Sequence, residues 1–289
     1  MVLFCAGCLS DSARIVPNDY WQSLKPKPPH ASPDVVEVQY IFIEREIGDP
    51  DVNELAWLTS DEQAIPLEMK ARLNSNGLRI ASLGDRLTPQ LQGLLRRSNP
   101  TGKGRLQHGR SGEPVKIQMT PILSDFRFTS VFDDRPQDER FANGQGYLVV
   151  VPSISEDTAV RLTVSPEIEH GARTTRYTPA VEHGGWKVTT ERERFELRAL
   201  SVGLEVDSGG FVLVGARTDR PGTLGHSFFI RPGVDGRPAQ ALLLIRVLRP
   251  SREDLFAAGY DADDFVLSPL LRFGRTGRSP ASETFFMSQ

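Results

Sequence analysis

Between Leu9 and Gln289 there is no cysteine; the chain's two, Cys5 and Cys8, stand at its extreme start. No disulfide can therefore staple the body, and a thiol nucleophile or thiolate metal cage within it is excluded. Long apolar runs are missing too, and none approaches the ~20 residues that a membrane-spanning helix requires. An excess of one charge is also lacking: a net charge of −3 over 289 residues supplies no global attraction for nucleic acid or an anionic membrane. No Gly-x-Ser-x-Gly elbow occurs, and Gly84 is the only glycine between Leu78 and Thr88, so no phosphate-cradling loop follows the strand ending near Leu83. No nucleophile stands beside an evident base. These absences point away from an enzyme and from any cofactor.

Turn formers, by contrast, are plentiful. Twenty-five glycines and twenty-one prolines fit a chain of many short strands. Residues 1–33 hold Pro17, Pro26, Pro28, Pro29 and Pro33, which suit a tether rather than a helix or a central strand. From Asp34 the character changes. Val35–Ile43 is β-branched and partly alternating, a strand. Asp51–Leu58 and Pro66–Asn74 have helical spacing, and Gly77–Leu83 is a second strand. Thr88 caps a third helix, with Pro89 in its first turn and Leu91, Leu94 and Leu95 on one face. Residues 34–99 thus read as a small βαβα module.

Residues 100–114 read as a basic, glycine-rich linker. With Arg96, Arg97, Lys103, Arg105 and Arg110 it could grip a polyanion, but no aromatic side chains are interleaved for stacking, so nucleic acid is not an expected partner. Beyond Pro114 the period switches to two. Val115, Ile117 and Met119 alternate with polar neighbours, as do Phe126 and Phe128, then Val160, Leu162 and Val164, then Phe195, Leu197 and Ala199. Tyr147–Val151 is continuously apolar. After these come Leu204–Val206, the Asp207–Gly210 turn, Phe211–Gly215, Leu224–Phe229 and Ala241–Leu248, all taken as further sheet. The fold class expected is α+β: the βαβα module, then a mainly antiparallel β-sandwich-like domain over 115–250. A short helix capped near Ser251 and a tail over 251–289 complete the chain.

Glu167, His170 and His183 are the candidate metal ligands if a hairpin brings them together; His170-Gly171 and His183-Gly184-Gly185 also read simply as exposed turns. A metal-dependent hydrolase or metal-binding protein is the alternative that this set would serve. Phe228 and Phe229 read either as core or, with Leu224, as a contact surface for a protein partner.

Phe4-Cys5-Ala6-Gly7-Cys8 resembles a bacterial lipobox, with small residues just before Cys8. That resemblance implies lipidation of Cys8 and anchoring in the cell envelope. Cys5 stands where leucine is usual, and Met1–Phe4 supply no basic start, so two incidental thiols remain the other reading. A second resemblance covers roughly residues 115–250. Val160–Ile168 with its Pro166-Glu167 step, Gly210 before Phe211–Gly215, Leu224-Gly225 with Phe228-Phe229, and Ala241–Pro250 together resemble the β-module of bacterial secretins. The whole chain is similar to bacterial proteins associated with planctomycetes, which join such a module to an α/β one through a Leu-x-x-Asn-Gly-Leu-Arg-like helix end, here Leu73–Arg79. The resemblance implies a non-enzymatic structural or interaction protein of the envelope, associating with itself or with other envelope proteins. It meets the membrane only through a lipid anchor, since no spare amphipathic hairpin for a barrel wall is evident in the sequence.

Overall fold

The computed structural model describes residues 35–97, 105–155, 159–180, 185–233 and 236–249. Cys8, His183 and the helix expected from Ser251 lie outside them. The protein is α+β, built mainly from antiparallel strands in two sheets.

The first sheet has the order β2-β10-β12-β1-β3, with β11 also on β12. Its strands are β1 (Val35–Glu46), β2 (Leu78–Leu83), β3 (Arg105–Arg110), β10 (Phe211–Ala216), β11 (Ile230–Pro232) and β12 (Pro238–Leu248). It is buried on both faces, which is why Ala241–Ile245 is apolar without a break. Val36, Val38 and Tyr40 point to one side of β1 and Ile41 and Ile43 to the other, in two separate cores. Each such side chain, fully buried, contributes about 1.5–3 kcal/mol.

On the second side lie a single π-helical turn (Asp51–Leu55) running into α1 (Ala56–Leu58), and α3 (Pro89–Arg97). Trp57, Leu91, Leu94 and Leu95 close that core. Thr88 caps α3 as expected, its Oγ1 accepting from the Leu91 N–H at 3.4 Å. On the first side the sheet meets a second one, ordered β4-β6-β7-β8 with β5 on β6 and β9 on β7. Its strands are β4 (Val115–Gln118), β5 (Leu123–Phe132), β6 (Arg135–Ile154), β7 (Ala159–Ala180), β8 (Gly185–Glu196) and β9 (Val202–Asp207). Ile117, Leu148, Val150, Leu162 and Leu204 interleave with Val38, Val214 and Leu243 between the sheets, a sandwich core.

Three features differ from the expectation. β1 and β2 do not form a sheet of their own: β12 and β10 lie between them, with Glu37 opposite Leu248 and Ala81 opposite Leu213. A strand apolar on both faces needs neighbours and cover that a 66-residue module does not hold. Residues Arg105–Arg110, expected as linker, are β3, pairing with the free edge of β1 from Val35–Arg110 to Tyr40–Arg105. Leu224–Phe229, expected as strand, is a short helix, α4.

Candidate functional site

Leu224, Phe228 and Phe229 are not a contact surface. They are 0%, 1% and 0% exposed, in the core between the sheets. In this six-residue helix Leu224 and Phe228, four apart, share a face, and Phe229 at its end is buried as well. α4 is held by the turn that ends α2 (Leu67–Ser75): the Gly225 N–H donates to the Asn76 carbonyl oxygen at 3.0 Å. Asn76 is itself fully buried. Its Nδ2 donates to the carbonyls of Arg72 (2.9 Å) and Val131 (2.8 Å), and its Oδ1 accepts from the Val131 N–H at 2.8 Å. The two motifs singled out in the sequence, Leu73–Arg79 and Leu224-Gly225, therefore meet, and they clasp β5 to the first sheet. No side chain fits at Gly225, where a Cβ would stand 1.9 Å from the Gly77 carbonyl oxygen. Gly77 itself takes the left-handed backbone, φ +73°. The clasp is structural.

Glu167 and His170, the two proposed metal ligands among the described residues, do not converge. Glu167 and His170 lie on the regular part of β7, before its register shift, and three residues along a strand is an odd step. His170 shares the face of Ile168, its ring 4.9 Å from that of Phe141, while Glu167 is on the opposite face. There Lys116 Nζ lies 2.5 Å from Glu167 Oε1 and 2.6 Å from Glu169 Oε1. Burial disfavours the Lys116 ammonium, but hydrogen bonds to both glutamates outweigh it and hold its pKa above the usual lysine value. Glu167 is thus a counter-ion to Lys116. Among the described residues no group of three or more His, Cys, Asp or Glu side chains converges to hold a metal ion.

What the sequence reading missed is the far end of β7 and β8. His170-Gly171, expected as a turn, is a bulge: the register shifts between His170 and Thr174, and Gly171 takes φ +73°. The strand then runs on to Ala180. From Thr174–Glu191 to Ala180–Gly185 the two strands make seven register pairs with each other and, among the described residues, with no other strand. This is an arm about 23 Å long at ~3.3 Å per residue. Tyr177 lies opposite Val188, and Trp186 is two residues from Val188, so the three share one face. They are 66%, 56% and 69% exposed, whereas the other aromatic side chains among the described residues are buried or half-buried. Thr175 and Thr190 continue that face, with their hydroxyls 3.2 Å apart. At the base an open polar cleft is lined by His170, Thr174 and Glu191–Arg194. Arg192 Nε donates to the Gly171 carbonyl across the bulge at 3.3 Å. The legible signal was the alternation in Trp186-Lys187-Val188-Thr189, which the nearby histidine-glycine pairs obscured.

No protein-family model matches the sequence, and no curated protein does. Among solved structures, the chain is similar to the InvG secretin domain β-barrel of the Salmonella SPI-1 injectisome: 12% identity, 83% of this chain, 66% of that one and a TM-score of 0.20. It is also similar to the type II secretin GspD of enteropathogenic Escherichia coli, at 10% identity over 88% of this chain and 79% of that one, with a TM-score of 0.21. The chain spans about two thirds of the InvG chain it matches.

Proposed function

We propose that this is a non-enzymatic structural or interaction protein of the bacterial cell envelope, and that the β7–β8 arm is its contacting element. One observation carries the reading: Tyr177, Trp186 and Val188 lie exposed together on a hairpin that, among the described residues, no other strand flanks. A two-stranded ribbon is marginally stable by itself, and both its edges leave backbone groups unpaired. Exposed aromatic side chains on such an element mark a surface that something covers. The envelope assignment rests on the lipobox-like Phe4–Cys8 and on the secretin-like order of segments over 115–250. Cys8 is the lipidated residue in this reading, and residues 9–33 are the tether between lipid and body. Membrane fractionation and intact-mass measurement of the protein expressed from its native gene, upstream sequence included, test it. The expected result is recovery with the envelope and a lipid on Cys8. Unmodified protein starting at Met1, recovered from the cytosol, would overturn it.

A further inference from the structure

We infer that two copies of this chain pair β8 to β8 along its free edge, antiparallel about a two-fold axis centred on Thr190. This rests on the arm being the contacting element and names a second copy as what it contacts.

The backbone comes first. β8 ends the second sheet and, among the described residues, pairs with β7 alone. One edge of Gly185–Glu196 therefore keeps its outward N–H and C=O groups for another strand. Two such edges meet symmetrically as an antiparallel pair, with the two-fold axis perpendicular to the sheet. That axis keeps each face of the sheet on its own side, so residues directly opposite must point the same way. Their numbers then sum to an even value, and one residue lies opposite itself.

Charge selects which residue that is. β8 carries Lys187, Arg192 and Arg194 against Glu191, Glu193 and Glu196, so two copies meet without net repulsion. Centring on Lys187, Glu191, Arg192, Glu193 or Arg194 sets like charges directly across the seam, which destabilises a sheet. Centring near either end of the strand pairs only a few residues. Registers centred on Val188, Thr189 or Thr190 have no like-charge pair, and of these the Thr190 register is the longest. It runs from Gly185 opposite the partner's Phe195 to Phe195 opposite the partner's Gly185. Within it Lys187 lies opposite the partner's Glu193 and Trp186 opposite the partner's Arg194, each twice by symmetry.

Exposure agrees with that register. The side chains of Glu193, Trp186 and Arg194 are 71%, 69% and 41% exposed, and a guanidinium over an indole ring is favourable. In the shorter Thr189 register Trp186 would face Arg192, whose Nε already donates to the Gly171 carbonyl. The pairing also sets the Tyr177, Trp186 and Val188 faces of both arms on the same side of one continuous sheet.

The absence of cysteine between Leu9 and Gln289 makes the test direct. In the full chain carrying Cys5→Ser and Cys8→Ser, Thr190→Cys is expected to form a disulfide between copies on mild oxidation, because directly opposite Cα atoms stand about 4.5–5.5 Å apart. Val188→Cys and Arg194→Cys fall about 14 Å and about 27 Å from their own counterparts and are expected to form none. Sedimentation of the wild-type chain is expected to show a monomer–dimer equilibrium. Glu193→Lys sets like charges across the seam twice and is expected to weaken the dimer at least about fivefold; adding Lys187→Glu is expected to restore it. A monomer at every concentration overturns the inference, as does a dimer that ignores Glu193→Lys or in which Thr190→Cys forms no disulfide. Rings or filaments of higher mass without that disulfide also overturn it, in favour of a head-to-tail contact. A monomer recovered with the envelope removes the self-pairing alone; a dimer recovered from the cytosol removes the envelope reading and leaves the pairing standing.

Discussion

Replacing Asn76 by alanine cuts three hydrogen bonds at the point where α2, β2, β5 and α4 meet. The Arg72 carbonyl keeps a partner, because the backbone N–H of residue 76 also donates to it at 3.3 Å. Val131 does not: its N–H and its carbonyl both lose the amide that now satisfies them at 2.8 Å. A polar group left without a partner costs about 1–3 kcal/mol when buried. Val131 is half-buried, so water recovers part of this, and the loss comes to about 2–5 kcal/mol. In urea, with a slope of about 1–3 kcal/mol per molar, the midpoint should fall by roughly 1–2 M at unchanged slope.

Asn76→Asp separates hydrogen bonding from packing. It keeps the acceptor toward the Val131 N–H but aims a carboxylate at two carbonyl oxygens. The folded protein then favours the protonated acid, raising the carboxyl's pKa above the ~3.9 of the unfolded chain. Stability is lost as the pH rises from that value through the folded one. The deficit against wild type should therefore be large at neutral pH and narrow below about pH 4. An Asn76→Ala midpoint within ~0.3 M of wild type, or an Asn76→Asp deficit that does not narrow in acid, would refute the clasp as described.

Gly225→Ala should be harsher than Asn76→Ala, since its Cβ falls 1.9 Å from a backbone oxygen that cannot step aside; the amount of folded protein recovered and its melting temperature are the measures. Lys116→Met leaves Glu167, 6% exposed, without its counter-ion and should cost about 2–4 kcal/mol near neutral pH. That deficit should shrink in acid as the carboxylates protonate. In the wild-type protein the Lys116 contribution is present below pH 10.5 and is lost as the pH rises through its higher folded value. Asp125, which accepts from Arg127 and Arg140, should titrate at about 2 by carbon-detected NMR, and return toward 3.8 when both arginines are replaced by alanine.

Local pattern carried much of the architecture. The alternation in Val115–Met119, Phe126–Phe128 and Val160–Val164, and the continuous apolar run at Ala241–Ile245, reported strands because burial on one face or two leaves a periodic mark. Pairing was not legible, since nothing local tells Glu37 that it will lie opposite Leu248. β3 was hidden for a related reason: as an edge strand it is held by backbone hydrogen bonds to β1, and Arg105–Arg110 needs no apolar face to make them. α4 is too short to show a 3.6 period, so its two phenylalanines looked like strand. Glu167 and His170, three apart on a strand, could have met a metal only if a hairpin brought them together, and the regular register of β7 keeps them on opposite faces. The arm escaped because Gly171, a bulge, looks the same in sequence as a turn.

The central claim is that the β7–β8 arm makes the protein's contacts in the envelope. A photo-activated cross-linking side chain placed at Val188 in the full chain, expressed in its native cells, tests this most directly, with Leu58, the more exposed of the two, as the control. The account expects cross-linking to envelope lipid or protein from Val188 and little from Leu58. Equal labelling from both positions, or none from Val188, would contradict it.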